Sequence, residues 1–197
     1  MAHKCSPDQR IDVGIVMDAS GSVWPNWEDE QGFVTDLASE INISPSGGQA
    51  SVTVFSSDAT VNIKFSDYQD YTSFQIAVND LKHVMGGTRI DRALEVAYND
   101  MFNATNGMRP NVPKLLVFIT DGFHNGPDFN YTMWGNMFRE RQIKVIVVGI
   151  GKVDTKNLVK LVENETDMHT VSNFTSLDTS FVNDIGLCDG MFYSFGV

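Results

Sequence analysis

The chain has 197 residues, 42% of them hydrophobic, and a formal net charge of −11, which fits one globular domain with a continuous core. An acidic surface repels phosphate groups, so neither nucleic acid nor anionic lipid is an expected partner. The longest apolar runs are too short to span a bilayer, so membrane insertion is not expected either.

The first half of the chain alternates between the hydrophobic periods of strands and helices. Residues 11–17 form an apolar run that ends abruptly at Asp18, as a buried strand does. Residues 60–65 alternate apolar and polar side chains, which predicts a half-exposed edge strand in a hairpin. In chain order this half predicts strands over 11–17, 50–55 and 60–65, and helices over 27–41, 71–84 and 90–102.

The second half continues the alternation, with strands that are apolar on both faces. Its predicted elements are strands over 115–120, 144–150 and 168–171, and helices over 132–141, 155–162 and 177–185. The alternation as a whole predicts a doubly wound α/β fold. We expect a mostly parallel six-stranded sheet with one antiparallel edge strand and helices on both faces.

Polar residues follow two of the predicted strands and precede one predicted helix. Asp18, Ser20 and Ser22 come directly after the first strand, and Asp121 follows the strand over 115–120. A Gly-Gly-Thr sequence ending at Thr88 precedes the helix over 90–102. In open α/β sheets, ligands bind beyond the carboxyl ends of strands where the strand order reverses. If the two strands are neighbours at that reversal, these five residues can converge.

Two carboxylates and three hydroxyls make an all-oxygen site, which suits a hard cation such as Mg²⁺, with Mn²⁺ or Ca²⁺ as possible substitutes in vitro. Because hydroxyls are neutral ligands, the cation would keep positive character, and an open coordination position would attract a carboxylate from another molecule. The pattern therefore favours a metal-bridged adhesion site. The alternative is that the serines only cap the following helix, which would explain one hydroxyl.

Four segments of the chain resemble the von Willebrand factor type A domain of matrilins and collagen VI-like proteins: DVGIVMDASGSV, GGTRIDRAL, RPNVPKLLVFITDG and IKVIVVGIG. The similarity covers residues 11–188, which leaves 1–10 as an N-terminal extension and 189–197 as a C-terminal tail. The resemblance implies a Rossmann-like sheet with an intact metal-ion-dependent adhesion site. The residues that match its five positions are Asp18, Ser20, Ser22, Thr88 and Asp121.

The resemblance also implies an extracellular protein partner and secretion to the extracellular matrix. Collagen is a leading candidate partner, although the segment after Asp121 shows no extra helix of the kind that collagen-binding integrin α-subunits insert there. Two sequence features favour a secreted glycoprotein over a cytosolic protein: five Asn-x-Ser/Thr acceptors, and two cysteines, Cys5 and Cys188, at opposite ends of the chain. A Cys5–Cys188 disulfide would tether the last helix and limit an affinity switch.

Four residues beside the metal loops are candidates for partner contact. Trp24 and Phe123 offer aromatic area, and His124 follows Phe123. Arg89 could pair with a partner carboxylate, or with Asp91 or another surface acid instead.

Two other classes of function remain to be weighed. Catalysis is not expected: Ser20 stands where an aspartyl-phosphate enzyme would carry a second acid, and the Gly-x-Ser-x-Gly turn of a serine hydrolase is absent from the sequence. The third class is a structural matrix module that binds its partner away from the metal site. Adhesion that persists in EDTA would distinguish this class from metal-bridged binding.

Overall fold

The computed structural model describes residues 9–177 and residue 181, and six strands within this part of the chain form a single sheet. They are β1 (Asp12–Asp18), β2 (Gln49–Phe55), β3 (Ala59–Ile63), β4 (Lys114–Thr120), β5 (Ile143–Ile150) and β6 (Met168–Val171). The residues of β1, β2, β4 and β5 are almost all buried, whereas the two edge strands, β3 and β6, are partly exposed.

The strand order is β3-β2-β1-β4-β5-β6. Strand β3 runs antiparallel to β2, and the other neighbouring pairs are parallel. The predicted doubly wound, mostly parallel sheet with an antiparallel edge strand is therefore confirmed. The chain leaves β1 on one side for β2 and β3 and later enters β4 on the other side, so the strand order reverses between β1 and β4.

Helices cover both faces of the sheet, and a separate apolar core lies under each face. They are α1 (Trp27–Glu40), α2 (Tyr71–Asn79), α3 (Ile90–Val96), α4 (Tyr131–Glu140) and α5 (Thr155–Leu158). Apolar residues of α1 and α2 belong to one core, and those of α3, α4 and α5 belong to the other. Over the residues that the structure describes, no helix combines the length and apolar character needed to cross a membrane.

Helix α2 ends at Asn79, whereas the apolar pattern predicts a helix as far as residue 84. Two side chains of α1 explain the early end. Gln31 Nε2 donates to the Val78 carbonyl at 2.7 Å, and Trp27 Nε1 donates to the Leu81 carbonyl at 3.2 Å. Because these carbonyls accept from α1 side chains, they need no further helical turn to satisfy them.

The helix predicted over 90–102 is regular only as far as Val96 and continues as a wider π turn over Ala97–Met101. Met101, the last residue of this turn, and Phe102 reach the middle of β1 at Gly14. A β-carbon on Gly14 would lie 2.8 Å from Phe102 Cζ. A β-carbon at this position would force these side chains to shift, so the close approach favours glycine.

Several predictions fall on residues outside the described part of the chain. Both cysteines, Cys5 and Cys188, lie there, as does most of the helix predicted over 177–185. The disulfide, the tether that it would impose on an affinity switch, and the domain boundaries at residues 10 and 188 all stay predictions.

Candidate metal centre

The Asp18 carboxylate connects the ends of the two central strands. Its Oδ1 accepts a hydrogen bond from the Ser20 backbone N–H at 2.9 Å, and its Oδ2 accepts from Thr120 Oγ1 at 2.7 Å. The side chain is fully buried. Since β1 and β4 are parallel neighbours, their carboxyl ends lie at the same edge of the sheet, and the loop after each strand starts there.

Three loops carry the predicted metal residues: the first follows β1, the second precedes α3 and the third follows β4. The hydroxyls of the first loop lie against the Asp121 carboxylate of the third. Ser20 Oγ and Ser22 Oγ are 3.2 Å apart, and Ser22 Oγ donates to Asp121 Oδ1 at 2.8 Å. Ser20 is nearly buried, while Ser22 is exposed at the surface. The two loops therefore bring four of the predicted metal residues, counting Asp18, into one connected group.

Thr88 joins the group through the third loop. Its backbone N–H donates to Asn125 Oδ1 at 2.8 Å, and its carbonyl accepts from the Asn125 backbone N–H at 3.0 Å. A β-carbon placed on Gly122, the neighbour of Asp121, would lie 3.2 Å from Thr88 Oγ1. The hydroxyl of Thr88 therefore lies beside the residue that follows Asp121, which completes the predicted set of five.

No lysine, arginine or histidine of the described residues forms a salt bridge with the carboxyls of this group. Burial raises the pKa of Asp18 to about 6, against hydrogen bonds from Thr120 and Ser20 that favour its ionised form. Burial also raises the pKa of Asp121. A bound divalent cation would supply the missing positive charge.

The sequence analysis missed a third acid at this site, Glu30 of α1. Its side chain is completely buried, and its Oε1 accepts from the Asp18 backbone N–H at 3.1 Å. Burial, and then the neighbouring charges of Asp18 and Asp121, raise the pKa of Glu30 well above its ordinary value. A signal was present, because Glu30 follows Trp27 by three residues and precedes Val34 by four, on the apolar face of the predicted helix.

The donor set fits a hard cation better than a soft one. The five predicted residues offer carboxylate and hydroxyl oxygens, which Mg²⁺, Mn²⁺ and Ca²⁺ prefer, and neither sulfur nor imidazole. Across the described ranges, no group of three or more His, Cys, Asp or Glu residues forms a metal-binding cluster. A metal held here would therefore depend on the serine and threonine hydroxyls as well as on the two aspartates.

The four candidate contact residues differ in how available they are. Trp24 is 59% exposed and Phe123 is 58% exposed. The guanidinium of Arg89 forms a two-point ion pair with Asp91, with Nε–Oδ1 at 2.8 Å and Nη2–Oδ2 at 2.6 Å, which is the surface alternative considered above. His124 is largely covered, and its Nε2 lies 2.9 Å from the Pro127 carbonyl oxygen.

The loop after α2 adds apolar side chains that the sequence analysis did not single out. Val84 is 62% exposed and Met85 is 54% exposed. The loop is fixed to the first metal loop, because the Gly21 backbone N–H donates to the Gly86 carbonyl at 3.0 Å and His83 Nε2 lies 2.9 Å from the Ser20 carbonyl oxygen. Met85 has a φ of 58°, a left-handed conformation that costs energy for a residue with a side chain.

Sequence comparisons connect the chain to proteins of the extracellular matrix. Cuticlin-6 of Caenorhabditis elegans is 23% identical over 187 residues, covering 94% of this chain and 32% of the relative. The collagen alpha-1(XX) chain of Mus musculus is 27% identical over 179 residues, covering 89% of this chain and 13% of the relative. Human matrilin-4 is 26% identical over 163 residues, covering 81% of this chain and 26% of the relative.

The chain thus spans about a third or less of the length of these relatives. Cuticlin, collagens and matrilins are secreted proteins of the extracellular matrix, in agreement with the predicted localisation.

Solved structures and the family comparison agree on the fold. Proximal thread matrix protein 1 from the mussel byssus superposes with a TM-score of 0.82 at 23% identity, covering 92% of this chain and 46% of that one. A second structure of the mussel protein, which has zinc in its metal-ion-dependent adhesion site, gives a TM-score of 0.81 at 23% identity and covers 91% of this chain and 46% of that one. The von Willebrand factor type A family matches residues 12–183 of this chain, which therefore belongs to that family.

Proposed function

We propose that this domain is an extracellular adhesion or matrix-assembly module that binds a protein partner through a divalent cation. Mg²⁺ is the proposed ion, and its proposed ligands are Asp18, Ser20, Ser22, Thr88 and Asp121. The observation that carries the proposal is the meeting of three loops at the strand reversal, where Ser22 Oγ and Asp121 Oδ1 are 2.8 Å apart. The domains of this family in matrix proteins are in general adhesion modules without enzymatic activity, so we assign no catalytic step to the site.

The ligand chemistry supports a bridging ion over a closed structural site. When bound, the cation would supply a positively charged, oxygen-seeking position at the protein surface. Three of the five proposed ligands are neutral hydroxyls, and exposed Ser22 leaves the site accessible from solvent. A carboxylate of the partner is the group that such a position attracts.

The surroundings of the site support a partner with apolar side chains next to that carboxylate. Of the six large apolar side chains exposed on the described residues, four lie on the loops that carry the metal residues: Trp24, Val84, Met85 and Phe123. Exposed apolar area concentrated in one place is typical of interaction sites. Trp24 and Phe123 stay in the proposed contact set, and Arg89 and His124 would act from its edge.

Collagen is the first partner to test, in line with the resemblance to matrix domains. Solid-phase binding to a panel of matrix proteins, in Mg²⁺ and in EDTA, separates the two remaining functions. Binding that disappears in EDTA supports the metal bridge. Binding that is equal in both conditions would favour a structural module whose partner uses another surface.

Substitution of two metal residues tests the site itself. We expect Thr88→Ala and Asp121→Ala each to weaken Mn²⁺ or Mg²⁺ binding by about tenfold or more, the scale expected when a group of a metal centre is lost. Both residues lie on loops above the core, so the circular dichroism spectrum should stay unchanged. Isothermal titration calorimetry measures the affinities.

Thr60→Ala and Asp128→Ala provide controls for Thr88→Ala and Asp121→Ala, because both residues are exposed and neither side chain bonds to a proposed ligand among the described residues. Unaltered metal binding in both site variants would contradict the assignment.

A further inference from the structure

Glu30 occupies a position that the helix pattern reserves for an apolar side chain. It lies on the face of α1 that carries Trp27, Val34 and Leu37, all of which are buried in the core under that face. Glu30 itself is 0% exposed. A fully buried glutamate is rare unless it is paired, because removing its charge from water costs several kcal/mol.

The contacts of Glu30 are incomplete. Its Oε1 accepts from the Asp18 backbone N–H at 3.1 Å, but its Oε2 has no hydrogen-bond partner among the described residues. No lysine, arginine or histidine in this part of the chain forms a salt bridge with it. A buried carboxylate with one free oxygen and no cation is unfavourable, and a cation nearby would favour its charged form.

The location of Glu30 indicates what that group is. Its carboxylate contacts the main chain of Asp18, and the charges of both Asp18 and Asp121 act on it. Three acids therefore lie within electrostatic range of one another at the strand reversal. A cation at that point would turn this repulsion into attraction.

We propose that Glu30 is a further acidic residue of the metal centre: it supplies a third negative charge behind the cation and positions the Asp18 main chain. The inference rests on the proposed function, since it requires a cation at the site. Glu30 acts as a positioning residue, and direct coordination is not part of the proposal. The competing explanation is that Glu30 serves only as an acceptor for the Asp18 backbone N–H.

The isosteric variant Glu30→Gln separates the two explanations, because glutamine keeps an oxygen that can accept from Asp18 and removes the charge. We expect the dissociation constant for Mn²⁺, measured by isothermal titration calorimetry on the full chain, to rise about tenfold or more. Thermal unfolding in EDTA should occur close to the wild-type temperature, because glutamine has the shape of a neutral carboxyl group and keeps the acceptor for the Asp18 backbone N–H. An affinity within about twofold of wild type would overturn the proposal, since the charge would then be irrelevant to the cation.

Glu28→Gln is the matched control. Glu28 lies in the first turn of the same helix and is exposed, so its substitution changes the net charge equally away from the core. We expect its Mn²⁺ affinity to equal that of the wild type. An equal loss in Glu28→Gln and Glu30→Gln would overturn the proposal, because the effect would then reflect net charge alone.

Glu30→Met is the second variant, and it restores the apolar face of α1 if the glutamine variant does not fold. It should also weaken Mn²⁺ binding by about tenfold or more. If Glu30→Met binds Mn²⁺ weakly while Glu30→Gln binds it as the wild type does, then Glu30 acts only through its hydrogen bond to Asp18. That result would overturn the proposed role of its charge.

The failure of this inference and that of the proposed function are distinguishable. A wild-type chain that binds no Mn²⁺ would overturn both. Binding that is lost in Asp121→Ala and kept in both Glu30 variants would overturn the role of Glu30 alone.

Discussion

Arg109 connects three separate segments at the opposite end of β1 from the metal centre. Its Nε lies 2.8 Å from Asp12 Oδ1, and its backbone N–H donates to Asp12 Oδ2 at 2.7 Å. Its remaining guanidinium nitrogens donate to the carbonyls of Gly47 and Ile11, both at 2.9 Å. Burial raises the pKa of Asp12 in spite of the guanidinium, so the desolvation of this carboxylate outweighs the attraction.

Arg109→Ala should therefore lower the free energy of unfolding by about 3–5 kcal/mol, because it leaves a buried carboxylate without its partner. Arg92→Ala is the control, since the ion pair of Arg92 with Glu95 is about half exposed and should contribute below about 1 kcal/mol. Urea denaturation measures both variants. Equal losses would show that the buried pair contributes no more than a surface one.

The central strand β1 determines how closely the elements on one face of the sheet can pack. Gly14 leaves room for Phe102, whose ring also packs against Phe65 with their centroids 5.7 Å apart. The ring therefore cannot move away without disturbing a second buried aromatic residue. Gly32 in α1 is different, because a β-carbon there would meet no described atom within 4 Å.

These two glycines make opposite predictions for the same substitution. Gly14→Ala should destabilise the fold by about 1–3 kcal/mol, since the added methyl group overpacks the core. Gly32→Ala should stabilise it by about 0.5–1 kcal/mol, since alanine is the better helix former. Chemical denaturation of both variants checks the signs. A stabilised Gly14→Ala would mean that the π turn after α3 can shift without cost.

At the scale of the whole molecule, negative charge is in excess over the chain and is also concentrated at the strand reversal. The chain carries a formal charge of −11, and the acids at the strand reversal add a local concentration that the described part of the chain does not neutralise. Glycans on the predicted acceptor asparagines must point away from the sheet edge that carries these acids if a partner is to reach it. Four of the five acceptor asparagines are exposed, namely Asn42, Asn130, Asn164 and Asn173. The fifth, Asn103, is half-buried.

Cation binding at the proposed site should stabilise the whole fold, because a ligand that binds only the folded state shifts the unfolding equilibrium. At a Mg²⁺ concentration about 100 times the dissociation constant, we expect a gain of about 2.7 kcal/mol, reversed by EDTA. Differential scanning calorimetry at constant ionic strength measures it. Asp121→Ala should lose the gain and Asp128→Ala should keep it. An equal gain in both variants would indicate general screening of the acidic surface.

The sequence was sufficient to predict the sheet, because the apolar pattern of a buried strand is local; the five metal residues stay a prediction, although the structure brings their loops together. An apolar run such as residues 144–150 identifies a buried strand wherever it lies in the chain. The loop residues after β1 and β4 were placed by a topological rule, since parallel neighbours end at one edge. The family resemblance matched these residues to the five positions of a metal site, and the chain's membership of the family is shown over residues 12–183.

What only the tertiary structure decided depends on contacts between distant segments. The end of α2 at Asn79 requires Gln31 of another helix, and the exposed side chains of Val84 and Met85 result from the loop that follows. The helical spacing of Glu30 from Trp27 and Val34 places it on the apolar face of α1, but the sequence does not show what it contacts there. Its contact with Asp18 and its unpaired oxygen depend on how α1 packs on the sheet, which no local pattern specifies.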